Sequence, residues 1–572
     1  MKQLMLGNEA IAFGAMDAGV SLISSYPGTP STEITEYASK NKDIYVEWAP
    51  NEKVATEVAI GAAIGGARAM TCMKHVGVNV AADPIFTVAY TGVNGGLVII
   101  AADDPGMHSS QNEQDSRYYA MSAHIPMLEP ADSQECYSMV RAAFEMSEKY
   151  DTPVFVRLTT RIAHSQSAVE LFEKTEKMIK PYTKNIGKYV MMPAMARGRH
   201  IALEQRENQL SLDIETMGVN KLEYRDKNIG VICSGAVYQY VREALPNAST
   251  LKLGMVYPLA KGLIASFAKQ VEKIYVIEEL EPIIENQVKA MGISCIGKEL
   301  FSIRGELNTS IIRMSITGVE LPFDSIADLP ARPPVLCPGC PHRAVFHTLS
   351  KMKLNVTGDI GCYTLGANAP YNAMDMCVCM GASIGMAHGL DRSGALPAQK
   401  TVAILGDSTF IHSGITGLIN VVYNKGNSTV MILDNSITGM TGHQQNPTTG
   451  KDIRGEAAPQ INLVQLCEAV GVKDIHTVDP FDMKLLEKTI KDALSFEGVS
   501  VIIAQRPCAL IIKEKPKPFQ VNESCINCGI CGKLGCPAIE KQANAAFIDA
   551  SLCFGCGLCA SVCPKKAIVR ED

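Results

Sequence analysis

The chain has 572 residues, 47% of them hydrophobic and 20% charged. That is an ordinary globular balance, enough for three to five cores at roughly 100–200 residues per domain. A formal net charge of -6 without a basic cluster gives no electrostatic case for nucleic acid, and no uncharged apolar run reaches the ~20 residues that a membrane-spanning helix needs.

MKQLMLGNEAIAFGAMDAG (1–19) predicts an amphipathic helix. Glu9 interrupts what would be the apolar part of a secretion signal, so a cytoplasmic protein is expected. SLISSYPGTP (21–30) predicts a strand ending in a Pro/Gly turn, and STEITEYASK a helix capped by Ser31. EKVATEVAIGAAIGGARA (52–69) reads as one small-residue helix able to pack closely. GGLVIIAADD (95–104) and TPVFVRLTTR (152–161) read as buried strands. The alternation predicts an α/β domain with a parallel sheet over 1–170. Residues 171–225 are more polar and read as a connector with surface helices. Strands at NIGVICSGA, KLGMVYPL and KIYVIEEL predict another α/β domain over 226–325. After a boundary at Arg332-Pro333-Pro334, strands at TVAILGD, STVMILDN and VSVIIAQR predict a second large α/β domain over 332–512. KEKPKPF (513–519) is a linker, and a Cys-rich module fills 520–572.

Eight of the 19 cysteines fall in that module. They read Cys525-x2-Cys528-x2-Cys531-x4-Cys536-Pro and Cys553-x2-Cys556-x2-Cys559-x3-Cys563-Pro. A CxxCxxC loop can supply three of the four thiolates of a [4Fe–4S] cluster, the fourth coming from the other repeat. Cys525, Cys528, Cys531 and Cys563 are therefore assigned to one cluster, and Cys553, Cys556, Cys559 and Cys536 to a second. A zinc site has no use for paired runs of this kind. The module resembles bacterial two-cluster ferredoxins, with one extra residue before Cys536.

Gly406-Asp407-Ser408 and Asp434-Asn435 each end an apolar strand. Asp407 and Asn435 are 28 residues apart, one βαβ crossover, which brings both loops to one edge of a parallel sheet. Two ordinary helix-capping turns would look the same. The pair resembles the thiamine diphosphate fingerprint, GDG followed by NN, with Ser408 and Asp434 departing from it. By that resemblance Asp407, Asn435 and the Ile437 carbonyl hold Mg²⁺, and Gly406, Ser408 and Gly361 line the cofactor.

In the first domain, Glu57 falls where pyruvate:ferredoxin oxidoreductases place the carboxylate that faces the aminopyrimidine ring. Burial between two domains is expected to raise its pKa. Glu52 competes for the role, and an i,i+4 surface pair with Lys53 is the bland alternative. Tyr26-Pro27-Gly28-Thr29-Pro30-Ser31 resembles the YPxTPSS turn of the same superfamily, which implies that Thr29 contacts the substrate carboxylate and carbonyl. Cys337, Cys340, Cys362 and Cys508 follow the order of a third, proximal [4Fe–4S] cluster in these relatives, with His342 as another possible ligand. The other seven cysteines, Cys377 and Cys379 among them, read as buried small hydrophobes.

The resemblance covers almost the whole chain. Residues 51–84, 103–117 and 332–346 are similar to the large subunits of indolepyruvate:ferredoxin oxidoreductases. This implies an α/β multidomain fold: two doubly wound thiamine diphosphate-binding domains, a transketolase C-terminal-like domain, and a two-[4Fe–4S] ferredoxin-like α+β domain. It implies oxidative decarboxylation of aryl pyruvates to aryl-acetyl-CoA with coenzyme A, and electrons passed to an external ferredoxin. The gamma-type domain missing here implies a small β subunit and an α2β2 assembly. Asp103 stands where pyruvate-type enzymes have Arg, and Met440 where they have Asn; the flexible Met suits a bulky aryl group. The alternatives are an oxidoreductase for another 2-oxoacid, a non-oxidative thiamine diphosphate-dependent decarboxylase, and an electron-transfer subunit whose thiamine half is scaffold. The Cys-rich tail argues against the decarboxylase; Glu57 with Asp407 and Asn435 argues against the scaffold.

Overall fold

A computed structural model describes residues 2–320, 329–330 and 332–570. Residues 321–325 of the predicted 226–325 domain and 571–572 of the Cys-rich module lie outside the described residues. The chain divides into two units, Met1–Ile326 and Ala327–Asp572. Among the described residues no helix is long and apolar enough to cross a membrane.

The first unit contains a seven-stranded sheet in the order Met255–Tyr257, Met127–Leu128, Val154–Thr159, Leu97–Asp103, Ala69–Lys74, Leu22–Ser25, Tyr45–Trp48. All neighbours are parallel except the pair made by Met255–Tyr257. LVIIAAD and VFVRLT are buried along their whole length, as strands covered by helices on both faces must be. A second sheet runs Lys273–Ile277, Asp226–Ser234, Ala248–Leu253, Lys221–Glu223, with the last strand antiparallel. The polar connector carries the largely exposed helix Pro193–Asp213.

Four local expectations are corrected. The N-terminus is a strand, Lys2–Leu6, paired with Gln166–Glu170, before the helix Gly7–Asp17. The helix from Glu52 stops at Ile64, because Gly66 takes φ 102° and a Cβ there would collide with the Lys180 carbonyl; Ala69 already starts a strand. Ser31 sits at the N-cap, but its hydroxyl donates backward to the Gly28 carbonyl at 2.9 Å instead of accepting a cap bond. KLGMVYPL is two strands in two different sheets, broken at Gly254, where the Val219 carbonyl leaves no room for a Cβ.

The second unit carries a fully parallel five-stranded sheet: Asn355–Thr357, Thr401–Gly406, Ser428–Asp434, Val499–Gln505, Asp474–Val478. Its Cys-rich module has two short antiparallel pairs, Phe519–Val521 with Ile568–Arg570 and Ile539–Lys541 with Ala546–Ile548. The module packs on the helix His342–Met352, whose Ala344 joins a core with Leu534, Ile548, Leu558 and Ile568.

Candidate functional site

In the second unit, Gly406 pairs with Leu433 across two parallel strands, so both loops leave the same sheet edge. Asp407 opens the helical run that follows, which contains a π turn at Phe410–Gly414. Gly406 and Gly361 must lack side chains because the Tyr363 ring lies against both; a Cβ on Gly406 would be 2.8 Å from it. The Tyr363 hydroxyl donates to the Ile360 carbonyl at 2.7 Å and meets Thr409 Oγ1 at 2.8 Å. That contact fastens the Gly361-Cys362 loop to the Asp407 turn.

Asp407 is 2% exposed, and no cationic side chain among the described residues pairs with it. Its Oδ2 accepts from Thr448 Oγ1 at 2.7 Å and Asn446 Nδ2 at 3.1 Å. Burial, then the neighbouring Asp434 charge, pushes its carboxyl from 3.8 up to about 7. A hard divalent cation is what such a group lacks, and the buried Asn435 and Ile437 lie on the adjoining loop to complete an oxygen-rich set. Ser436, at φ 59°, turns that loop. Asn435 Oδ1 accepts from the Ile437 N–H at 3.3 Å, and its carbonyl accepts from the Cys508 N–H at 2.9 Å. Ser408 is buried beside Asp407. Sequence reasoning missed Asn446 and Thr448.

The eight cysteines of the module gather as two fours. Cys525, Cys528, Cys531 and Cys563 line one small pocket. Cys536, Cys553, Cys556 and Cys559 line another, together with Cys340 and Arg343. The extra residue before Cys536 is absorbed by a 3₁₀ turn, Cys531–Leu534, ending at Gly535 with φ 63°. Among the described residues no three His, Cys, Asp or Glu side chains are placed to chelate one metal ion; a cubane instead spreads its thiolates over separate irons.

Cys337, Cys340, Cys362 and Cys508 also converge. Burial raises Cys340 to about 12 and Cys362 to about 11, and charge on the other members adds to each; Cys508 is raised by burial and by Cys337. The Cys362 Sγ would be 3.4 Å from a Cβ on Gly439, two residues past Ile437, so this set adjoins the Asn435 loop. His342 is buried, edge-on to Tyr363 at 5.9 Å, and burial lowers its ring to about 4. Five of the remaining seven cysteines are buried, but Cys377 is half-buried and Cys379 exposed, against expectation.

In the first unit Glu57 is exposed and ion-paired with Lys53. Glu52, Ala55, Thr56, Ala59 and Ala63 form the inward face of that helix within the unit, and Glu57 points away from it. Glu52 is 4% exposed, with its side chain against Gly77. Thr29 is half-buried, and its carbonyl accepts from Ser109 Oγ at 3.2 Å. Lys74 runs along Gly28 and donates to the Ser109 carbonyl at 2.9 Å. Burial drives Lys74 below the usual lysine value against the pull of Asp104 and Glu52. Asp104 is held by Thr160 at 2.6 Å and Ser110 at 2.7 Å. Sequence reasoning missed this Lys74–Ser109–Asp104 group around Thr29. Asp103 is buried in an ion pair with Arg157 at 2.7 Å.

Comparison with known proteins bears on both units. Residues 13–227 match the family described as pyruvate flavodoxin/ferredoxin oxidoreductase, thiamine diphosphate-binding. Residues 359–504 match the C-terminal binding domain of thiamine pyrophosphate enzymes, and 546–569 a 4Fe-4S binding domain. Indolepyruvate oxidoreductase subunit IorA of Archaeoglobus fulgidus is 39% identical over 99% of this chain and 97% of its own. The Pyrococcus horikoshii IorA is 41% identical over 100% and 97%. A 2-oxoglutarate:ferredoxin oxidoreductase structure from Magnetococcus marinus aligns at TM-score 0.48 and 18% identity, over 55% of this chain and 65% of that one.

Proposed function

Because the chain belongs to the family of indolepyruvate oxidoreductase IorA subunits, we propose that it oxidatively decarboxylates aryl pyruvates to aryl-acetyl-CoA and sends the electrons to an external ferredoxin. Its class is 2-oxoacid:ferredoxin oxidoreductase, with thiamine diphosphate-binding and iron–sulfur domains. The observation that carries the reading is the pair of four-cysteine cavities in the same unit as a buried, cation-free Asp407.

Thiamine diphosphate, when bound, supplies the electron sink on which a 2-oxoacid loses CO₂, and iron–sulfur clusters accept electrons singly. Asp407, Asn435 and the Ile437 carbonyl would hold Mg²⁺ against the diphosphate, with Thr448 and Asn446 keeping the Asp407 carboxylate aimed. Gly406 and Gly361 keep the backbone of these loops bare. Glu57 would exchange a proton with the aminopyrimidine, leaving Lys53 to do so. The Thr29 hydroxyl would take the substrate carboxylate. Cys340 borders the cavity of Cys536, Cys553, Cys556 and Cys559, which supports a spatial order of three clusters with that one in the middle. Met440, 55% exposed, would border the aryl group. The chain would work in the cytoplasm with a small β subunit, as α2β2.

The test is an anaerobic viologen-reduction assay with the small subunit present, comparing indolepyruvate, phenylpyruvate and pyruvate, each with and without coenzyme A. Bound iron and thiamine diphosphate are measured on the same preparation. CoA-dependent turnover fastest on the aryl substrates is expected; iron-free protein that takes up no thiamine diphosphate would end the proposal.

A further inference from the structure

We propose that Arg343 is the shared counter-cation of two iron–sulfur clusters and raises the reduction potential of both; this rests on the cluster reading above. The side chain is 2% exposed, and no carboxylate among the described residues pairs with it. One amino group, Nη1, donates to Tyr371 Oη at 2.8 Å and the Leu534 carbonyl at 2.7 Å. The other, Nη2, donates to the carbonyls of Leu336 at 2.5 Å and Cys337 at 3.0 Å. Nε is buried without a partner. Carbonyl dipoles solvate a guanidinium but do not neutralise it, and a buried cation without an anion is costly.

The placement says where the anion belongs. Arg343 lines the cavity of Cys536, Cys553, Cys556 and Cys559. It also grips the backbone of the Cys337–Cys340 loop. Gly339, at φ 76°, lies so near Phe554 that a Cβ would be 2.6 Å from its ring, so the Cys337–Cys340 and Cys553–Cys556 loops touch beside Arg343. A four-thiolate cluster is anionic in either state and gains one more negative charge when reduced. A fixed cation in a low-dielectric setting favours the reduced form, and cluster potentials respond to local charge. Arg343 thus stabilises an electron on either side of the junction. No such cation lines the cavity of Cys525, Cys528, Cys531 and Cys563 except the surface Lys565.

The experiment is an anaerobic redox titration followed by electron paramagnetic resonance, on the chain complexed with its small subunit. Arg343→Gln is expected to lower two of three cluster potentials by about 59 mV, tenfold in a one-electron equilibrium, and leave the third in place. Arg343→Lys, which keeps the charge, should largely restore both. Tyr371→Glu keeps the guanidinium but sets a carboxylate against it, and should lower the same two even if Arg343→Gln fails to hold iron. Equal shifts in all three clusters, equal effects of Gln and Lys, or wild-type potentials in Tyr371→Glu would overturn the proposal. A wild type lacking cluster signals would overturn the cluster reading beneath it.

Discussion

Asp407→Asn separates stability from cofactor binding. In the metal-free chain the folded carboxyl titrates at about 7 and the unfolded one near 3.8. The unfolded chain therefore loses its proton first, and stability falls as pH rises from 3.8 until the folded group ionises at 7. Asparagine carries no such liability. Its advantage should grow between pH 5 and pH 7 by two pH units at 1.36 kcal/mol each, about 3 kcal/mol, then stay level. For a unit of this size that is roughly 6–12 °C in Tm. Calorimetry of metal-free protein at pH 5 and pH 8 measures it, with parallel scans in Mg²⁺ and thiamine diphosphate. The ligands should stabilise the wild type, less so as pH falls below 7 because Mg²⁺ must displace the proton, and leave Asp407→Asn unmoved. An advantage that is the same at both pH values, or a variant stabilised as the wild type is, would refute the reasoning.

Glu57→Gln should cut viologen reduction at least about 100-fold while Tm holds, since its pair with Lys53 is exposed; full turnover would move the role to Glu52. Cys563→Ser should cost about four irons per chain and spare the cluster of Cys536, Cys553, Cys556 and Cys559, read by iron analysis. Gly339→Ala forces a side chain into φ 76° against Phe554 and should cost about 1–3 kcal/mol, measured by denaturant unfolding; an unchanged midpoint contradicts the close packing of that loop. Met440→Asn should shift preference from phenylpyruvate toward pyruvate in kcat/KM, and an unchanged ratio removes Met440 from the aryl site.

Spacing made the cysteine fours legible, because cubane chemistry constrains the chain locally and the two cavities gather the residues that the repeats assign. The loops at Asp407 and Asn435 were legible for a related reason: one crossover between parallel strands fixes which ends share an edge. The direction of Glu57 was not, since a helix of Ala, Gly and Val offers no strong apolar stripe to say which side faces in. Asn446 and Thr448 were hidden because they reach Asp407 from about 40 residues away through a loop with no periodicity. Arg343 was hidden because its role depends on having no carboxylate nearby, which spacing cannot express.

The strand Met255–Tyr257 belongs by sequence to the region of the four-stranded sheet, yet it completes the edge of the seven-stranded one beside Met127–Leu128. Such a loan ties the melting of the two sheets together: a chain cut short before residue 255 bares the backbone of Met127–Leu128 and invites pairing with a stranger. Dissection of this unit at the polar connector should therefore yield aggregating halves, and co-expression of the two pieces is the way to recover either.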